Sequence, residues 1–133
     1  MLRLEIVTPE KRVLDAEVDS VTVPTASGEI GILPHHAPLV SALKPGILAY
    51  YVKGVGSKLA VSGGFVEVNT DKAAVLVDTA ETAEEIDVDT ARSERESAEK
   101  ALAAAGQASS EDTELTREAI DHATARLQLA AGK

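Results

Sequence analysis

Cysteine and tryptophan are absent from the 133 residues. Without cysteine there is no disulfide framework, no thiolate nucleophile and no cysteine-based zinc or iron–sulfur site, a composition compatible with a reducing compartment. Aromatic residues number only three, Tyr50, Tyr51 and Phe65, which argues against a typical small-molecule pocket with its aromatic lining. Long apolar runs are missing as well. Nowhere do about 18 consecutive apolar residues occur that could span a bilayer, and the N-terminal MLRLEIVTPEKRV has no basic segment followed by an apolar stretch. The expectation is a soluble chain without a secretion signal. Positive charge is scarce: 13 Lys/Arg stand against 22 Asp/Glu, a net charge of −9. That balance opposes phosphate backbones and anionic headgroups and argues against nucleic acid as a partner. No nucleophile elbow, GxxxxGK[ST] loop, HExxH or GxGxxG occurs, so none of the commoner catalytic or phosphate-binding signatures is available.

What is present divides into two parts. Residues 1–80 hold seven Lys/Arg and nine Asp/Glu, while residues 81–133 hold six and thirteen. All three aromatics fall in the first part and alanine crowds the second. This change of composition marks a boundary near residues 80–87, with domains expected over 1–85 and 86–133. In the first part apolar residues alternate: Leu2, Leu4 and Ile6; Val21 and Val23; Ile47, Ala49 and Tyr51; Ala73, Val75 and Val77. Each set shares one face of a strand. Turn signals separate the sets, at Thr8-Pro9-Glu10, Ala26-Ser27-Gly28, Lys44-Pro45-Gly46, Gly54-Val55-Gly56, Gly63-Gly64 and Asn69-Thr70-Asp71, as in an antiparallel sandwich or barrel.

After Asp87 the period lengthens. Asp87 or Asp89 is a candidate N-cap, and Val88, Ala91, Ala98, Leu102 and Ala105 follow at helical spacing until Gly106 supplies a stop. Ser109 and Ser110 offer a second cap, followed by the stripe Thr116, Ile120, Ala123, Leu127 and Ala130. Two helices in an antiparallel hairpin are expected. With about 45 residues and few large apolar side chains, such a hairpin does not bury enough surface to stand alone. It must lean on the sandwich, on a partner, or on each in turn, and a narrow alanine stripe is weakly held on any one surface.

Two local features invite a chemical reading. The stretch GEIGILPHHAPL, residues 28–39, sets His35 and His36 between Pro34 and Pro38. Adjacent residues in a regular element point in different directions, so the pair is poorly arranged to share a metal, and the prolines indicate a shaped loop between strands. The acids Glu81, Glu84, Glu85, Asp87 and Asp89 resemble a metal cluster on paper, but acids before a helix and in its first turn are favoured by capping and by the helix dipole. Serine hydrolysis would require Ser27, Ser41, Ser57 or Ser62 beside a histidine, a pairing for which the sequence offers no sign.

Taken together, three segments resemble the epsilon subunit of F-type ATP synthases, and the likeness runs over essentially the whole chain. GEIGILPHHAPLVSALKPG is similar to that family's G-x-[LI]-G-[IV]-L-P-x-H-A-P-L stretch and its K-P-G turn. VSGGFVEV, residues 61–68, is similar to its glycine-pair strand, and VLVDTAETAEEID leads into the hairpin as in that family. The resemblance implies an α+β fold, an N-terminal antiparallel β-sandwich of about ten strands followed by a C-terminal two-helix antiparallel hairpin. It implies a non-catalytic central-stalk subunit of a proton-translocating ATP synthase, linking the gamma shaft to the c-ring. The complex would be peripheral to the cell membrane on its cytoplasmic face, and the chain would reach the membrane only through it. By similarity Glu29 faces the ring and His36 lies in the surface that meets neighbouring rotor subunits. The hairpin would be a regulator, permitting turnover when folded on the sandwich and obstructing ATP hydrolysis when extended along the shaft, where its helices would meet the catalytic alpha and beta subunits.

No cofactor is required on this reading. Some members, however, bind a regulatory ATP on the folded hairpin through an [IL]-D-x-x-R-A motif and arginines of the second helix. Here the run is VDTARS, keeping Asp89 and Arg92 but departing at Val88 and Ser93. Arg126 matches on the second helix, whereas His122 stands where the clearest binders have arginine, and a neutral imidazole is no substitute for a guanidinium fork toward phosphate. The alternative function, from residues alone, is a free-standing small-ligand binding sandwich with the hairpin as a lid.

Overall fold

Alternation of apolar and polar side chains produces strands wherever the turn signals leave room for them. The structure, a computed structural model, describes residues 1–105 and 110–132. Among these, ten strands run in chain order: β1 Leu2–Val7, β2 Arg12–Val18, β3 Ser20–Thr25, β4 Gly28–Ile32, β5 Leu39–Leu43, β6 Gly46–Val52, β7 Val55–Val61, β8 Gly64–Asn69, β9 Lys72–Val77 and β10 Ala80–Glu81. A single 3-10 turn, Ala83–Glu85, leads into α1, Val88–Ala105, and α2 spans Ser110–Ala131. The strand order is β10-β7-β6-β3-β5-β8-β9-β1-β2, with β4 paired to β3. All pairings are antiparallel except that of β1 with β9. That parallel pair joins the first strand to the ninth, which is sterically possible because the whole intervening chain serves as the crossover.

The predicted faces form the core. Leu2, Leu4, Ile6, Val21, Val23 and Val75 are completely buried, with Val66, Leu48 and Ile32 among them. In β6 the expected phase is corrected by one residue. Leu48 enters the core, whereas Ile47 and Ala49 are only partly buried and Tyr51 is exposed. The cause is that β6 is covered on both sides: Ile47 packs beneath the helical hairpin in a second apolar cluster. A strand buried on both faces loses the clean alternation from which its phase was read. Two turn assignments also move, since Val55 and Gly56 belong to β7 and Gly64 opens β8. Gly64 is required by close approach, because a Cβ there would collide with the backbone carbonyl of Leu76.

The helical tail folds back on the sandwich, with α2 lying between α1 on one side and β6 and β7 on the other. The cluster that seats it comprises Ala60, Ile86, Ala125, Leu129 and Ala130, with Ile47, Ala83 and Val88 packed around. The predicted stripes account for Ala91, Ala98, Ala123 and Ala130, which are buried. They omit Ala125, Arg126 and Leu129, also buried, because a helix gripped from two sides buries a wider arc than one apolar stripe. Asp87 is the N-cap of α1, its Oδ1 accepting the Thr90 N–H at 3.1 Å. Gly106 and Ser109, read as stop and cap, lie outside the described residues, as does the side chain of Ser110.

Candidate functional site

The first candidate surface is built by β4 and its flanking loops. Gly28, at φ 115°, turns β3 into β4, and the turn is stitched by Thr25 Oγ1, which donates to the Gly28 carbonyl and accepts the Ser27 N–H at 3.2 Å. Glu29 follows, exposed to solvent on an edge of the fold. His36 lies in the loop beyond the other end of the strand, so β4, with Glu29 near its start, spaces the two predicted contact residues apart rather than gathering them at one point. The loop Leu33–Pro38 is shaped locally, as its prolines imply. His35 takes a left-handed conformation, φ 64°, and both its N–H and its ring Nδ1 lie 3.2 Å from Asp71 Oδ1 in the β8–β9 turn. The half-buried His36 places Nδ1 2.7 Å from the Ala37 carbonyl, which makes Nδ1 the protonated nitrogen when the ring is neutral. The two rings therefore face different partners. Asp71 was visible in the sequence only as a turn residue, since nothing local signals a contact 36 positions away.

The second candidate surface is the seam between hairpin and sandwich. Arg126 of α2 is 8% exposed, and its guanidinium meets carboxylates from two other elements. Nη1 donates to Glu94 Oε2 of α1 at 3.1 Å, and Nη2 donates to Glu81 Oε2 of β10 at 3.4 Å. Nε is 2.8 Å from Glu81 Oε1, but its N–H is not aimed at that oxygen, so the contact there is ionic rather than a directed hydrogen bond. One turn earlier His122 Nε2 sits 3.3 Å from Thr79 Oγ1. Burial holds the His122 pKa below its ordinary value and the adjacent Arg126 charge adds to this, while Glu81 and Glu94 pull weakly the other way.

Asp89 and Arg92 do not join that cluster. They pair with each other across one helical turn at 3.6 Å, both well exposed, while Glu94 comes to Arg126 from a different side of α1, as helical periodicity requires. Two other acids of that stretch have structural tasks. Glu85 Oε1 accepts both the N–H and the hydroxyl of Thr82 at 3.0 Å, and these hydrogen bonds lower its pKa. Asp87, capping α1, is lowered chiefly by the Thr90 N–H. Ser62 is likewise committed to backbone, accepting the N–H groups of Asp78 and Thr79 at 3.0 and 2.9 Å. One cleft of about 470 Å³ lies along the seam, lined by Ile47, Tyr50, Leu59, Thr82, Gln128 and Leu129.

A docked helical hairpin on a ten-stranded sandwich is a specific combination, and comparison with known proteins identifies it. The family model described as ATP synthase, Delta/Epsilon chain, beta-sandwich domain matches residues 1–83. The ATP synthase epsilon chain of Herpetosiphon aurantiacus is 46% identical over 129 residues, covering 97% of this chain and 93% of that one.

The chain belongs to the ATP synthase epsilon chain family.

The epsilon chain of Desulforamulus reducens is 53% identical over 104 residues, 78% of this chain and 79% of that relative. Among solved structures, a chain in the Euglena gracilis mitochondrial ATP synthase, an OSCP/F1/c-ring assembly in rotational state 1, superposes with a TM-score of 0.78 at 26% identity, over 98% of this chain and 81% of that one. The family's β-sandwich model ends at residue 83, inside the 80–87 window where composition changes. Epsilon-chain similarity continues beyond it into the hairpin. Among the described residues no helix is long and apolar enough to cross a membrane.

Proposed function

We propose that this chain is the non-catalytic central-stalk subunit that joins the gamma shaft to the c-ring of a proton-translocating ATP synthase, on the cytoplasmic face of the cell membrane, with residues 86–133 regulating ATP hydrolysis. The observation that carries this reading is similarity to ATP synthase epsilon chains across both sandwich and hairpin, 97% of the chain in one relative. The Euglena neighbour, from an assembly that includes F1 and the c-ring, supports the same placement. On this reading the sandwich is the assembly module, and Glu29 at the start of β4 and His36 in the loop beyond it contribute to its contact with ring and neighbouring rotor subunits. The hairpin, held by a small apolar cluster and an ionic seam, is the element free to exchange partners, with the catalytic alpha and beta subunits receiving it when it extends.

A regulatory ATP on the folded hairpin would be met by Asp89, Arg92 and Arg126. Reaching Arg126 would require displacing Glu81 and Glu94 from it, so nucleotide affinity should be weak. The test of the main reading is capture of the tagged full chain from detergent-solubilised native membranes. Co-recovery of gamma and c subunits is the expected result, and recovery of neither would overturn the assignment.

A further inference from the structure

We infer that Arg126, Glu81 and Glu94 form an ionic latch that keeps the hairpin folded on the sandwich with no nucleotide bound. The residues come from three elements: β10 of the sandwich supplies Glu81, and the two helices of the hairpin supply Glu94 from α1 and Arg126 from α2. Withdrawal of α2 alone would part Arg126 from both carboxylates at once, and withdrawal of both helices together would still part it from Glu81. Removing one partner of a buried pair is costly because the other is left uncompensated. Apolar contact by itself holds the hairpin weakly, since four of the eight residues in its cluster are alanines. The latch therefore supplies directional grip where burial is thin. Two carboxylates also neutralise the one cation of α2 that is buried among the described residues, so the positive field that would draw a phosphate is already spent.

The latch belongs to the isolated chain. Its consequence for ATP hydrolysis rests on the rotor reading above, and the two stand or fall by different measurements. Amide hydrogen exchange on the full chain, without nucleotide and with millimolar ATP, compares α2 with strands β1 and β9. The expected result for the wild type is equal protection of α2 in both conditions. Replacing both acids, Glu81→Gln with Glu94→Gln, should accelerate exchange in α2 on the order of tenfold, between the small effect of an exposed pair and the large one of a buried pair, while β1 and β9 remain as they were. Arg126→Gln is a harsher change and should release both helices. Protection of wild-type α2 only when ATP is present would overturn the latch. So would unchanged α2 exchange in the double variant, or acceleration that is equal in the sandwich strands, which would signal general destabilisation instead.

Discussion

At Gly64 one missing side chain decides whether β8 can lie against β9. The strand pairs Gly64 with Val77 and Phe65 with Leu76, and a Cβ at position 64 would run into the Leu76 carbonyl. Gly64→Ala should therefore lower the stability of the chain by about 2–3 kcal/mol, as overpacking a tight contact does. A urea unfolding midpoint that scarcely moved would show that the strands relax instead. Glu29 is the opposite case, because it is exposed to solvent. Glu29→Lys should change the unfolding free energy by no more than about 0.5 kcal/mol, yet weaken proton-driven ATP synthesis in assembled complexes if the ring lies where proposed. Unchanged synthesis would remove Glu29 from that contact. Neither outcome depends on the other, so stability and coupling can be read separately.

At the scale of elements, α2 shows what the sequence allowed to be read and where legibility stopped. Its helical period was plain from alanine and leucine spacing, and the cap of α1 was narrowed to Asp87 or Asp89, of which the structure takes Asp87. Strand existence and most strand faces were visible for the same reason, a period of two with one face buried. The phase of β6 was not visible, because Ile47 answers to the hairpin and Leu48 to the core, and no single-strand pattern encodes two neighbours. The candidate seam was half legible. Arg126 stood out by likeness, but its partners Glu81 and Glu94 lie 45 and 32 residues away; Glu81 read locally as a helix-start acid, and Glu94 carried no local sign of the contact. His122 belongs to the same seam and makes docking respond to pH. Around it lie Thr79, Glu81 of β10, Glu94 of α1 and Arg126 of its own helix, and its pKa in the docked state falls below the ordinary value. The docked state thus binds fewer protons at His122 than the released state. Its contribution to docking is complete above about pH 6.5, the ordinary histidine value, and is lost as pH falls from there through the lowered docked value. NMR titration of the α2 amides should show docking weakening as pH falls below about 6.5, with His122→Gln abolishing that part of the dependence. A His122 ring that titrated at or above its ordinary value in the docked chain would contradict the sign.

For the whole molecule, the decisive point is that two apolar clusters are distinct. The sandwich closes its own core with Leu2, Leu4, Ile6, Val18, Val21, Val23, Leu48, Val66 and Val75, none of which belongs to the cluster that seats the helices. Deleting residues 88–133 removes Ala125, Leu129 and Ala130 from the second cluster and uncovers Ala60, Ile47 and Ile86, but leaves the first complete. The truncated chain should fold, at some loss of stability from the uncovered patch, and should still join the ATP synthase through the sandwich. What it loses is the element that can change partners. If the folded and extended hairpins differ by a few kcal/mol, a partner that binds one form modestly better shifts the population, and without the hairpin there is nothing to shift. Complexes reconstituted with the truncation should make ATP at close to the full-length rate and hydrolyse it free of any inhibition that the hairpin exerts in the full chain. A truncated chain that folds but fails to enter the complex would mean that the helices are part of the assembly surface, and the division of labour between sandwich and hairpin would have to be abandoned.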